Sequence, residues 1–358
     1  MLKRRRATLK DVAESVGVHV STVSRALNPE TRHLITSDIV RKIAAASRAL
    51  GYIPNTAAYS LRTTRTKIVG VVVPDITNSI FPPIIRGVED ALMEHGYATV
   101  LVNTDGGLER EAAMIEALAA RGVDGLVIAS VHRDDGRIRD LATQGTPVIT
   151  VNRRMDDPTI PSVTSDEEDG VRRMLTHLAA LGHKNICTIA GDQTISTGQR
   201  RHDAFMQIAP ELGIEPDPAN IVFASDFNES SGERCMEELL ARGVEFTAVH
   251  CSNDRLAIGA ISALRRRGLS CPADVSVTGF NDMPMVDRID PPLTTIRIQQ
   301  HKVGYVAAEL LYEQMRELSS RPVPQHIVLP VDLVVRSSTA PPPAIANKTV
   351  RRAVKDRT

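Results

Sequence analysis

The run Thr8-Leu9-Lys10-Asp11-Val12-Ala13-Glu14-Ser15-Val16-Gly17-Val18-His19-Val20-Ser21-Thr22-Val23-Ser24-Arg25-Ala26-Leu27-Asn28 contains two short apolar-periodic blocks divided by a glycine. The first, Leu9 to Ser15, is preceded by Thr8, whose hydroxyl can accept from an otherwise unpaired first-turn amide. Gly17 permits the left-handed turn that ends it. The second runs from Val20 to Leu27, with Val23, Ala26 and Leu27 facing inward and Ser21, Thr22, Ser24 and Arg25 on the polar face. A third block follows Thr36 through Ile39, Val40, Ile43, Ala44 and Ala46 to Leu50, and Gly51 closes it. Two short helices joined by a tight turn and braced by a longer one match a helix-turn-helix, whose second helix can enter a DNA major groove.

The charge distribution points the same way. The chain is neutral overall, with 43 Lys/Arg and 43 Asp/Glu. Residues 1–67, however, hold 13 Lys/Arg against 4 Asp/Glu, and residues 341–358 hold 5 against 1, which leaves 25 against 38 between them. A basic head on an acidic body places contact with a polyanion at the head. The 358 residues, 42% hydrophobic and 24% charged, have the composition of a soluble globular chain. The longest apolar run, Ile68 to Pro74, is too short to span a bilayer, and no apolar segment of a secretory signal follows the basic N-terminus. Cys187, Cys235, Cys251 and Cys271 form no CxxC pair, so reduced thiols and a cytoplasmic location are expected, with no membrane partner.

Beyond the head, Pro54 in Tyr52-Ile53-Pro54-Asn55 breaks the third helix, and Asn55 can cap a new one over Thr56–Arg62. About two turns of helix are too few to stand alone. The polar stretch Arg62–Lys67 then reads as a linker. From Ile68 the rhythm changes. Apolar runs at 68–73, 98–102, 125–129, 147–151, 186–190, 221–224, 247–251 and 275–280 alternate with amphipathic stretches at 80–95, 109–121, 167–181, 200–209, 229–242 and 254–267. This is the βαβ rhythm of sheets covered on both faces, and its length predicts two α/β lobes. Strands at 294–298 and 326–336 flank a helix at Gln299–Leu318, and a basic tail at 340–358 is expected to be disordered.

Ligands of open parallel sheets bind beyond the strand C-termini. Those positions hold Asp75 and Asn78, Ser130, Asn152-Arg153, Asn253-Asp254 and Asn281-Asp282. Asp254 reads equally well as a cap for the helix after it. The chain contains no GxGxxG after a strand, no GxxxxGK[ST], no HExxH and no GxSxG, and its ten histidines are scattered. No catalytic residue, metal site or cofactor is therefore expected. Amides and arginines at strand ends suit recognition, so the body is expected to sense a small molecule on behalf of a DNA-binding head. The alternatives are a core that answers chiefly to a protein partner, which predicts a blocked cleft, and a metabolic enzyme, which would need a base–nucleophile cluster.

The stretch from Thr8 to Asn28, with Gly51-Tyr52-Ile53-Pro54-Asn55 and Ser60-Leu61-Arg62-Thr63, closely resembles the lactose and purine repressor (LacI/GalR) family of bacterial transcription regulators. The resemblance continues through Gly70–Asp75, Gly122–Gly125, Cys251–Asp254 and Pro291–Ile296. It implies a helix-turn-helix head (1–54), a hinge helix and linker (55–67), and a two-lobed core like that of periplasmic sugar-binding proteins. On the family pattern, the first lobe comprises 68–165 plus 296–324 and the second 166–292 plus 325–339. It also implies a homodimer on a near-palindromic double-stranded operator, with a small-molecule effector between the lobes.

Residue by residue, the resemblance makes Val20, Ser21 and Arg25 the base readers. Arg25 is the strongest, because a guanidinium can donate twice to guanine for about 1–3 kcal/mol of discrimination. Thr8, Thr22, Ser24, Asn28 and Asn55 are matched to the phosphate backbone or its orientation. Leu61, beside Arg62, corresponds to the leucine that wedges into the minor groove. His19 stands where the family usually has serine, and is expected to cap the second helix poorly or to touch phosphate. Asp75, Asn78, Phe81, Ser130, Asn152, Arg153, Arg201, Phe227, Asn253 and Asn281 are matched to the effector pocket. Many sugar-responsive relatives carry aspartates at the positions of Asn152 and Asn281. Amides there, beside Arg153 and Arg201, lead to the expectation of an anionic effector, a sugar acid or sugar phosphate; the alternative is a neutral sugar, with Arg153 turned away into a salt bridge.

Overall fold

The computed structural model describes residues 7–28, 31–52, 65–316 and 324–343. The chain divides into two units, Met1–Thr66 and Lys67–Thr358. In the first, α1 (Leu9–Val16), α2 (Val20–Leu27) and α3 (Ser37–Leu50) enclose a small core in which Val12, Val23 and Ile43 are fully buried. Thr8 and Asp11 form a reciprocal capping box at the start of α1. Gly17 ends α1 in the left-handed conformation, at φ 72°, and its amide reaches back to the carbonyls of Ala13 and Glu14.

The second unit holds two six-stranded sheets. The first is built from β1 (Ile68–Val73), β2 (Ala98–Asn103), β3 (Gly125–Ile128), β4 (Val148–Val151), β5 (Ser162–Ser165) and β11 (His326–Leu329), in the order β11-β5-β4-β3-β1-β2 and parallel throughout. The second contains β6 (Ile186–Ala190), β7 (Ile221–Phe223), β8 (Ala248–Cys251), β9 (Ser276–Asn281), β10 (Thr294–Arg297) and β12 (Asp332–Val334), in the order β12-β10-β9-β8-β6-β7. Only its edge strand β12 runs antiparallel. Helices α4 (Phe81–Glu94), α5 (Leu108–Ala120), α6 (Gly136–Thr143) and α11 (Gln300–Arg316) accompany the first sheet. Helices α7 (Glu167–Ala180), α8 (Ser196–Glu211), α9 (Glu229–Ala241) and α10 (Asp254–Arg266) accompany the second.

Strand β5 and helix α6 have no counterpart in the sequence reading. Ser162-Val163-Thr164-Ser165 is short and half polar, and becomes a strand because β4 and β11 flank it on both sides. The lobe boundaries also need correction. Strand β10 pairs with β9, so residues 296–297 belong to the second sheet rather than to the first lobe. Strand β11 pairs with β5, so residues 326–329 belong to the first sheet rather than to the second lobe. The chain therefore crosses after Arg297 and again after Leu329. An apolar strand reads alike in either sheet, and only its hydrogen-bonded neighbours reveal which sheet it joins.

Helices α4 and α11 meet backbone to backbone at Gly87 and Gly304. A Cβ at Gly304 would lie 1.9 Å from the Ile84 carbonyl oxygen, and one at Gly87 would lie 2.0 Å from that of His301. Behind the lobes, Ser338 is fully buried; its hydroxyl donates to the Val277 carbonyl at 2.6 Å and accepts from the Thr294 amide at 2.8 Å. The Ala340 amide donates to Ser276 Oγ at 3.1 Å, and the Ala340 carbonyl accepts from His183 Nε2 at 2.9 Å. The start of the expected disordered tail is thus bonded to the second sheet, and residues 344–358 lie outside the described residues. Among the described residues, no helix is long and apolar enough to cross a membrane.

Candidate DNA-reading face and effector cleft

The inward residues of α2 pin its other face outward. Val23 and Ala26 are buried, while Val20, Ser21 and Arg25 are exposed and Thr22, Ser24 and Asn28 are half-buried at its flanks. The base-reading candidates thus share one accessible stripe of an eight-residue helix. His19 departs from expectation. Its Nδ1 accepts from the Ser21 amide at 3.3 Å and lies 2.8 Å from Ser21 Oγ, so the imidazole caps the helix in place of a hydroxyl. After α2, the Thr31 hydroxyl donates to the Arg25 carbonyl at 3.1 Å, tying the following turn back to the helix. Asn55, Leu61 and Arg62 lie outside the described residues.

Between the sheets, at the strand C-termini, lies a cavity of about 330 Å³. The first lobe contributes Asp75, Asn78 and Phe81 after β1, Ser130 and His132 after β3, and Arg153 after β4. The second contributes Asp192 and Ile195 after β6, Asp226, Phe227 and Asn228 before α9, and Arg255 on α10. Arg255 spans the gap. It holds Glu229 through two nitrogens at 2.7 and 2.8 Å and reaches Asp75 Oδ2 at 3.1 Å. Burial works to raise the Asp75 carboxyl, but hydrogen bonds from Thr77 and the Arg255 guanidinium outweigh it and hold the group below its ordinary range. Arg153 donates to the Ser130 carbonyl at 3.3 Å and, among the described residues, has no ion-pair partner. Burial lowers it to about 10, against the opposing pull of Glu111 and Asp192, so it remains a cation at neutral pH.

Family comparison matches residues 8–55 to "Bacterial regulatory proteins, lacI family" and residues 66–336 to "Periplasmic binding proteins and sugar binding domain of LacI family". The chain belongs to the LacI family. It is a ligand-responsive, sequence-specific transcriptional regulator of the repressor type, not an enzyme. Its relatives include the regulator CelR of Thermobifida fusca, 33% identical over 94% of this chain and 100% of that protein. The transcriptional repressor PurR of Pasteurella multocida is 31% identical over 93% of this chain and 98% of its own length. Among solved structures, the lac repressor dimer bound to operator and the anti-inducer ONPF has a TM-score of 0.83 at 29% identity, covering 94% of this chain and 100% of that one.

Within this LacI-family core, the structure separates the pocket residues expected from the sequence into two groups. Asp75, Asn78, Phe81, Ser130, Arg153 and Phe227 line the cavity; Asn152, Arg201, Asn253 and Asn281 are absent from its lining. Arg201 is 3% exposed and fully engaged: it pairs with Glu167, donates to the Ser252 carbonyl and to Asn281 Oδ1, and stacks 3.6 Å over the Phe280 ring. Asn253 caps α10, accepting from the Leu256 amide at 2.8 Å. That leaves Asp254 free of capping; it is buried and accepts from the Thr295 hydroxyl and the Met283 amide. Asn152 takes a left-handed backbone, at φ 63°, as the chain turns out of β4.

Sequence reasoning missed Asp105, which also lines the cavity, and His132, Asp192, Asp226, Asn228 and Arg255. Arg255 was hidden because helical periodicity absorbed it into α10, although it follows the strand-end residues Ser252-Asn253-Asp254 directly. The acids at 192 and 226 sit in loops, where no periodicity marks a direction.

Proposed function

We propose that this regulator binds a near-palindromic operator as a homodimer in the cytoplasm and that its effector is a neutral sugar held between the lobes. The observation that carries the effector reading is the cavity lining: four carboxylates, Asp75, Asp105, Asp192 and Asp226, with the phenyl rings of Phe81 and Phe227. Carboxylates accept from sugar hydroxyls, and aromatic rings pack against the C–H faces of a pyranose or furanose. The anionic effector expected from the sequence loses two of its supports. Arg201 is neutralised by Glu167 outside the cavity, and Asn152 and Asn281 do not reach it. A sugar acid remains as a second reading on one specific ground, the Arg153 guanidinium that lines the cavity without a carboxylate partner among the described residues.

The dimer reading rests on the edge of the first sheet. Strand β2 has a neighbour on one side only, and Val100 and Leu101 are about two-fifths exposed. Met93 on α4 and Met114 on α5 are exposed as well. An apolar edge of this kind calls for a cover, and a second copy supplies one with matching chemistry. Support also comes from similar solved structures: one is a lac repressor dimer on operator, another a CelR–cellobiose complex, and a third an Enterococcus faecium LacI-family regulator with bound ribose. The open cavity disfavours a core that answers chiefly to a protein partner, since that reading called for a blocked cleft.

Coupling between ligand and DNA follows from population shift. A sugar that favours one degree of lobe closure biases the segment joining head to core, where Leu61 is assigned to the minor groove. The test is operator affinity by fluorescence anisotropy, with the purified protein and a panel of neutral sugars, sugar acids and sugar phosphates. A change in affinity with neutral sugars supports the proposal, and a response confined to anions replaces it with the second reading.

A further inference from the structure

Helix α2 carries a donor–acceptor lock on one of its outward residues. Ser21 and Arg25 are exposed, one turn apart, on the face opposite the buried Val23 and Ala26. In a helix-turn-helix, the first residues of the second helix meet base edges in the major groove. A serine there is ordinarily an undecided reader, because its hydroxyl rotates and can donate or accept.

In this protein His19 directs that rotation. The imidazole Nδ1 lies 3.3 Å from the Ser21 amide nitrogen and 2.8 Å from Ser21 Oγ. An amide can only donate, so Nδ1 carries no proton and the neutral ring holds its proton on Nε2. The helix start favours the same tautomer. The Ser21 amide is a first-turn donor that no helical carbonyl can serve, and a second N–H aimed at it would repel it. With Nδ1 bare, the proton in the 2.8 Å contact belongs to the Ser21 hydroxyl. Ser21 Oγ then turns only lone pairs outward.

We propose that His19 makes Ser21 an acceptor-only base reader, one that selects the exocyclic amino group of adenine or cytosine and rejects the bare acceptors of guanine and thymine. The proposal rests on the operator-binding reading above and adds the polarity of one contact to it. A serine cap at this position would not impose that polarity. A hydroxyl is donor and acceptor at once, and leaves the proton of a neighbouring hydroxyl undirected. The imidazole thus caps α2 and orients Ser21 through the same nitrogen.

The test begins with selection of an operator from a randomised duplex pool by the full-length protein, followed by affinities from fluorescence anisotropy. Comparing wild type with Ser21→Ala on operators substituted at every position locates the base pair that Ser21 reads. At that pair, removing the amino group, with purine for adenine or a pyrimidinone for cytosine, is expected to weaken wild-type binding at least about threefold and to leave Ser21→Ala unaffected. Deaza analogues that lack the purine ring acceptor are expected to leave the wild type's advantage over Ser21→Ala unchanged.

His19→Ser keeps a hydroxyl cap and frees the Ser21 rotor. Its preference among the base pairs at that position is expected to narrow at least about threefold, with the selected operator still bound within about threefold of wild type. Matched melting temperatures check the fold of each variant; should His19→Ser melt earlier, the base analogues on wild type and Ser21→Ala decide alone. An advantage of wild type that depends on a ring nitrogen or carbonyl acceptor shows Ser21 donating and overturns the proposal. An unchanged base preference in a fully folded His19→Ser overturns it as well. If Ser21→Ala alters no base preference, the proposal falls and the operator-binding reading stands; if the wild type selects no sequence, both fall.

Discussion

Asp75 of the first lobe and Arg255 of the second meet across the effector cleft at 3.1 Å, and the same guanidinium is already held by Glu229. The bridge is half-exposed, with side-chain accessibilities of 17% for Arg255 and 39% for Asp75, so its contribution to stability is at most about 1 kcal/mol. Its value lies in position. Asp75 can bond a ligand hydroxyl only by sharing or surrendering Arg255, so ligand entry and lobe contact compete for the same carboxylate. Asp75→Asn is expected to lower effector affinity about tenfold while shifting unfolding stability by less than about 1 kcal/mol. Calorimetry and urea denaturation on the same preparation separate the two. A large stability loss with intact binding would reverse the assignment.

Arg201 and Glu167 form a pair with both side chains 3% exposed, and the structure makes this arginine an interior tie between α7, α8 and the end of β9. Removing one partner strands a charge in low dielectric. Arg201→Ala is expected to cost about 3–5 kcal/mol, and the double replacement Arg201→Met with Glu167→Leu to recover most of it. Equilibrium unfolding of the single and double variants checks this. If Arg201→Ala is as stable as wild type, the tie is not structural.

Asp254 is buried, and desolvation lifts its carboxyl to about 7 despite hydrogen bonds from Thr295 and the Met283 amide. Its folded pKa lies above the unfolded value of 3.8, so between these pH values the native state holds a proton that the unfolded chain has lost. This group's contribution to stability is present below the unfolded pKa and is lost as pH rises through the window. Wild type is expected to lose stability relative to Asp254→Asn between pH 4 and pH 7 (roughly the span of those two values), and to run parallel to it above. Urea titrations at intervals across that range give the comparison, and a gap of constant size would show that Asp254 does not titrate as described.

At the head, Arg25 is expected to read a guanine. Arg25→Ala should relax preference at one operator base pair by about 1–3 kcal/mol. Leu61→Ala should weaken operator binding while leaving effector affinity unchanged. Anisotropy titrations with systematically substituted operators, run beside calorimetry, resolve both. A uniform loss at every base for Arg25→Ala would reduce that residue to a phosphate contact.

The sequence alone determined those features whose physical signal is local. Helices α1, α2 and α3 were legible because capping residues, glycines and apolar spacing act within a few positions, and most strands of the body announced themselves as continuous apolar runs. The family followed from the same local stretch. Tertiary structure alone decided which sheet β10 and β11 join, because pairing depends on partners more than a hundred residues away, or across a crossover that leaves no compositional mark. It also decided the fate of the pocket arginines. Arg153 and Arg255 line the cleft, whereas Arg201, chosen with equal reason from sequence, is consumed by a buried glutamate thirty-four positions earlier. A side chain's charge is written in the sequence, but whether that charge faces a ligand or a neighbour is fixed only when the lobes close around it.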